Sequence, residues 1–114
     1  MTRDEVRLLS SDGLVSVGAH TVNHPVLSAA AVDDCRQEIN ASKASCEELT
    51  GAPVSGFAYP YGDFSAAVRE LVHNANYEFA CSTLNAPISR TTDILALPRM
   101  QAYDWDGDTF ARAL

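Results

Sequence analysis

The 114-residue sequence predicts an α/β fold built on parallel strands, and three observations carry the prediction. Short apolar segments alternate with segments of helical periodicity, residues that start or stop helices bracket the helical segments, and the chemistry-bearing residues follow the strands. An order of strand, helix, strand, helix, strand implies parallel pairing through right-handed crossovers.

Residues 3–10 read as the end of a helix and Asp12-Gly13 as a turn, after which Leu14-Val15-Ser16-Val17-Gly18-Ala19 forms a short apolar strand that delivers His20 at its carboxyl end. Ser28 resembles an N-cap. Asp33 and Asp34 then sit where a helix dipole favours negative charge, and the helix continues to Thr50 with Gly51 as its stop and Ile39 and Leu49 on its apolar side. Residues 53–59 form a second strand that ends in the turn Pro60-Tyr61-Gly62-Asp63. Residues 66–74 are a second amphipathic helix with Val68, Leu71 and Val72 at apolar spacing, and Asn76 takes the left-handed exit position. Residues 77–82 supply a third strand and 96–101 a fourth. No internal repeat, linker or low-complexity stretch interrupts the chain, so residues 1–114 are expected to form one domain.

Composition narrows the partners. Fifteen acidic against eight basic residues give a formal charge of -7, which repels phosphate backbones and anionic lipid heads and argues against nucleic acid. Hydrophobic content of 46% with 20% charged residues is that of a globular chain, and no apolar run approaches the ~20 residues of a membrane span. The opening Met1-Thr2-Arg3-Asp4-Glu5 lacks the basic start and apolar core of a secretory leader, and localisation stays unassigned. Cys35, Cys46 and Cys81 form no CxxC or Cys/His cluster and read as packed thiols.

In parallel α/β folds, ligands gather beyond the carboxyl ends of the strands. His20, Tyr59-Pro60-Tyr61 and Arg99 all fall there. His20 at a strand tip and His24 in the turn before Pro25 are candidate ligands of one metal, with the Thr21 hydroxyl free to hydrogen-bond locally. Neutral imidazoles suit zinc and other late divalent metals. A catalytic site normally has a third protein ligand, and the sequence offers no obvious one.

His20-Thr21-Val22-Asn23-His24-Pro25, Phe57-Ala58-Tyr59-Pro60-Tyr61-Gly62 and Leu97-Pro98-Arg99, in this order, resemble the NodB-type polysaccharide deacetylases, carbohydrate esterase family 4. The likeness extends from about Leu8 to Leu114. It implies a distorted (β/α) barrel, here partial or truncated, of which this chain is the C-terminal part. It also implies a hydrolase in which a divalent metal, with zinc as the leading candidate, removes N-acetyl groups from N-acetylglucosamine-containing glycans. By the same resemblance His20 and His24 are metal ligands and the backbone N–H of Tyr61 helps hold an oxyanion. Arg99 would stand in for an arginine that the family places where this chain has Ala58. Tyr59, Pro60 and Trp105 are expected to face sugar.

Two family motifs have no match. The Asp-Asp run that supplies the base and third ligand is absent ahead of His20, as is the late Leu-x-His motif. The expected outcome is a deacetylase homologue with impaired catalysis, its Asp-Asp strand lying upstream. The alternative is a non-catalytic carbohydrate-binding or oligomerising module on the same fold. A shortened barrel would also expose apolar surface on one side, which a homo-oligomer could cover.

Overall fold

The computed structural model describes residues 2–11, 13–99, 106–108 and 112. Among these the regular elements are helices α1 (Arg3–Ser10), α2 (Val32–Thr50) and α3 (Ala66–Asn74) and strands β1 (Gly56–Ala58) and β2 (Phe79–Cys81). Two 3-10 turns, Leu27–Ala29 and Pro60–Gly62, follow the histidine segment and β1.

The strands pair in parallel, with Gly56 opposite Phe79, Phe57 opposite Ala80 and Ala58 opposite Cys81. Parallel bridges at Ala19–Phe57 and Cys81–Leu97 extend the ladder on both sides, so four segments lie side by side in chain order. This is the parallel α/β arrangement expected. The regular strands are much shorter than the apolar runs, because among the described residues the segments 14–19 and 96–99 join the ladder through these single bridges.

Side-chain alternation divides the sheet. Phe57, Tyr59 and Ala80 point to the helical side, where they join Leu27, Cys35, Ile39, Val54, Val68, Val72, Tyr77 and Leu95 in the buried core. Gly56, Ala58, Phe79 and Cys81 occupy the opposite face. The absence of a side chain at Gly56 has a direct reason, since a Cβ there would press into the Phe79 ring. Nothing described covers that ring fully, and Phe79 remains 38% exposed. An open cavity of about 530 Å³ lies along this face, with Val15, Val17, His20, Phe79 and Cys81 among the residues that line it. The expected exposed apolar surface is therefore present, on the inner side of the sheet.

Two boundary expectations need correction. Helix α1 is complete rather than the end of a longer helix. Thr2 and Glu5 form a reciprocal capping box at its start, in which the Glu5 amide donates to Thr2 Oγ1 and the Thr2 amide to Glu5 Oε1, both at 3.1 Å. Ser28 does not cap α2, which begins at Val32 with Ala31 in the cap position and no side-chain cap. Ser28 lies instead in the preceding 3-10 turn, and its amide donates to Asp63 Oδ2 at 2.8 Å. By contrast, the αL stop at Gly51, the span of α3 and the left-handed Asn76 (φ 67°) agree with the sequence.

Ile39 is fully buried at the centre of α2. Truncating it should leave a cavity that the packed sheet cannot close, so Ile39→Ala is expected to lower unfolding free energy by about 2–5 kcal/mol in a denaturant titration.

Candidate active site

The two histidines come together at the carboxyl end of the first parallel segment. Pairing places Ala19 in the ladder, with its amide on Gly56 O and its carbonyl accepting from the Ala58 amide, each at 2.9 Å. His20 is the next residue, and its Nδ1 lies 2.7 Å from Ala58 O. A carbonyl oxygen only accepts, so this bond requires the proton on Nδ1 and leaves Nε2 with its lone pair facing outward in the neutral ring. The chain then turns sharply through Thr21 (φ 65°) and His24 (φ 55°), both in the left-handed region. The turn returns the second imidazole to the first, with ring centroids 4.7 Å apart and planes at 66°.

Side chains hold this unusual backbone in place. Thr21 Oγ1 accepts from the His24 amide at 3.0 Å, the local bond expected of that hydroxyl. Glu38, on α2, accepts from the Val22 amide at 2.7 Å and the Asn23 amide at 3.0 Å through Oε2, and from Asn23 Nδ2 at 2.8 Å through Oε1. Partial burial works to raise the Glu38 carboxyl, but the donors outweigh it and hold the group below the usual carboxylate value. The Glu38 contact was missed in the sequence. Its only signal was an acid on the helix following the histidines, which reads equally well as part of a solvated face.

The turn after β1 brings in Tyr61. Its φ is 61°, and the 3-10 turn around it is closed by bonds from the Gly62 amide to Tyr59 O and the Asp63 amide to Pro60 O, so the Tyr61 amide takes no part in that closure. Tyr61 is 65% exposed, and its ring meets the His24 ring edge-on at a centroid distance of 4.6 Å. Asp63 ties this turn to the histidine side through the Ser28 amide, and hydrogen bonding by Ser28 holds its carboxyl below the usual value.

Several expected site residues have other tasks. Tyr59 does not offer a ring face to sugar: it is 0% exposed, its hydroxyl donates to Leu95 O at 2.7 Å, and its ring packs on Phe57 and Phe64. Burial pushes its hydroxyl pKa up to about 12. Tyr59 shares its face with Phe57 two residues earlier, and that period of two was the signal in the sequence that it belongs to the core. Pro60 is also buried. Arg99 donates from Nε to Ser82 O and from its amide to Leu84 O, both at 2.8 Å, which fastens the chain after Leu97 to the loop leaving β2. None of its described bonds reaches His20, His24 or Tyr61. Trp105 lies outside the described residues. Among the described residues, no group of three or more His, Cys, Asp or Glu side chains could hold a metal ion.

Both lowered carboxyls carry a pH consequence. A depressed folded pKa contributes stability that is present above the unfolded value and lost as pH falls through the folded one. The Val22, Asn23 and Ser28 amide signals should therefore hold their positions on acidification until pH drops below the ordinary carboxylate range of about 4. Shifts already complete near neutrality in an NMR pH titration would contradict this.

Comparison with known proteins places these features in a family. The sequence profile described as "Polysaccharide deacetylase" matches residues 1–80. A search of curated proteins by sequence finds no match. Among solved structures, the chain is similar to the Streptococcus pyogenes deacetylase PplD in complex with acetate, at 23% identity and TM-score 0.92, covering 98% of this chain and 50% of that one. It is also similar to a polysaccharide deacetylase from Bacillus cereus, at 25% identity and TM-score 0.87, covering 99% of this chain and 36% of that one. A de-N-acetylase from Aggregatibacter actinomycetemcomitans superposes with TM-score 0.80 at 18% identity, over 100% of this chain and 53% of that one. The chain thus spans about half the length of these relatives or less. The profile match over most of the chain, joined to the parallel fold, shows that the chain belongs to the NodB-type polysaccharide deacetylase family.

Proposed function

We propose that this chain carries the histidine and oxyanion side of a metal-dependent centre that removes N-acetyl groups from N-acetylglucosamine-containing glycans. The observation that carries the proposal is the convergence of His20, His24 and Tyr61 on one rim. With Zn–N bonds of about 2.0–2.1 Å, two imidazoles sharing one tetrahedral ion have ring centres roughly 5 Å apart, and the observed 4.7 Å fits. The donor chemistry also fits, because the Ala58 carbonyl selects the His20 tautomer whose Nε2 can bind a cation. A divalent ion held there, with zinc as first candidate, would supply Lewis acidity toward an amide carbonyl and toward water.

The remaining work belongs to the chain. Tyr61 would direct its amide N–H, uninvolved in closing its own turn, at the negative charge that develops on the acetyl oxygen. Its exposed ring offers a flat apolar surface to a sugar beside His24. Glu38 and Asp63 are engaged by amide donors and are poorly placed to take a proton, so the base has no candidate near the described histidines. Slow acetate release follows from that deficit. Acetate, which the Streptococcus pyogenes relative holds, is the acid released from an N-acetyl group, in keeping with this substrate class.

The uncovered inner face, with Phe79 and Val15 partly in water, would also favour association of two copies. Sedimentation should then show a dimer that dissociates on Phe79→Glu substitution, whereas a monomer at all concentrations would refute the association. The function itself is tested by zinc titration calorimetry alongside acetate release from an N-acetylglucosamine oligomer. Wild type should bind zinc and His20→Ala should bind it at least about 10-fold more weakly, with acetate release from wild type far below that of a complete deacetylase. Equal zinc binding by both proteins would remove the metal assignment.

A further inference from the structure

The two histidines are separated by a loop whose backbone does not relax into an ordinary turn, because Thr21 and His24 both hold positive φ without being glycine. Among the described residues, Thr21 Oγ1 bonds within the loop, to the His24 amide. Glu38 connects the loop to something rigid. Both of its carboxylate oxygens are in use, Oε2 by the Val22 and Asn23 amides and Oε1 by the Asn23 side chain. Its own position is set by α2, whose neighbouring Cys35, Ile39 and Ser42 are buried at 2%, 0% and 4% exposure. The carboxylate therefore transfers the fixed position of the helix to the two residues nearest the centre of the His20–His24 loop.

We infer that Glu38 is the positioning residue of the histidine pair: by clamping Val22 and Asn23 it fixes the separation at which His20 and His24 can share one cation. The inference rests on the metal-centre reading above, and Glu38 itself touches no reacting atom. Its mode of action is geometric. An amide at position 38 can still accept both backbone N–H groups through its single oxygen, and a flip of the Asn23 amide lets its carbonyl accept from the new NH₂ group. Glu38→Gln thus preserves the clamp while removing the charge, whereas Glu38→Ala removes both.

The test uses the whole chain and zinc alone as the probe. Glu38→Ala should bind zinc about 10–100-fold more weakly than wild type, the range typical of lost support behind metal-binding histidines, while Glu38→Gln should stay within about 3-fold. Hydrogen exchange at the Val22 and Asn23 amides, measured without metal, should accelerate in Glu38→Ala and remain slow in Glu38→Gln. Core amides on α2 and β2 should be unchanged in both, which separates a local effect from failure to fold. Equal loss of zinc affinity in the two variants would show an effect of charge and overturn the positioning role. Unchanged exchange at Val22 and Asn23 in Glu38→Ala would overturn it as well. If wild type binds no zinc, the metal-centre reading fails, and the exchange measurement still decides whether Glu38 orders the loop.

Discussion

Three hydrogen bonds to Gly56–Ala58 and its neighbouring strand set the position of everything on the rim. The Ala19 amide donates to Gly56 O and the Ala58 amide to Ala19 O, both at 2.9 Å, and His20 Nδ1 then donates to Ala58 O at 2.7 Å. The first two bonds are ordinary parallel ladder contacts. The third turns the end of the ladder into a device that selects a tautomer, because a ring fixed through Nδ1 has its acceptor nitrogen at Nε2. The same strand continues through Tyr59 into the turn bearing Tyr61, so the two halves of the rim share one backbone origin. A register slip of one residue would reverse the faces of Phe57 and Ala58 and remove both the core contact and the tautomer bond at once.

The loops beyond this ladder carry backbone strain. Thr21, His24 and Tyr61 are non-glycine residues with φ of 65°, 55° and 61°, and such conformations cost of the order of 1–3 kcal/mol each and persist only where the surroundings enforce them. Thr21 is the most demanding, being β-branched. Enforcement comes from acceptors. Glu38 collects three donors from the histidine loop, and Asp63 collects the Ser28 amide while sitting at the end of the tyrosine turn. Bonds to an ionised carboxylate are among the stronger ones available to an exposed backbone. These two acids, which on composition alone look like surface charge, are what make a rim of strained loops hold one shape.

Much of the fold was legible because its signals were local. The apolar spacing in residues 66–74 and the exit at Asn76 are properties of a few neighbouring residues, and α3 follows them. Gly51 stops α2 for an equally local reason. The errors arose where a distant partner decided the outcome. Ser28 has the right chemistry for an N-cap, but it lies inside the 3-10 turn Leu27–Ala29, tied through its amide to Asp63, 35 residues away, and the helix starts later. Tyr59 has the right chemistry for sugar contact, yet Leu95 takes its hydroxyl and Phe64 its ring face. In the site, the pairing of His20 with His24 was visible as spacing, whereas Glu38 was not, because its role exists only once α2 has packed beside the loop.

The open inner face and the histidine rim are aspects of one physical situation. Register places Phe79 opposite Gly56, and the ring lies across the space a Cβ would occupy, so the inner layer is thin and rests on a single large side chain. Phe79 at 38% exposure and Val15 at 42% leave apolar surface in water along the same cavity that His20 helps to line. Burial of that surface is worth about 25 cal/mol for each Å² removed from water. An element laid over Val15, Val17 and Phe79 would gain this energy, and because His20 lines the same cavity it would also lie beside the rim. The apolar face and the first histidine of the rim thus share one cavity, so whatever covers the one also lies beside the other.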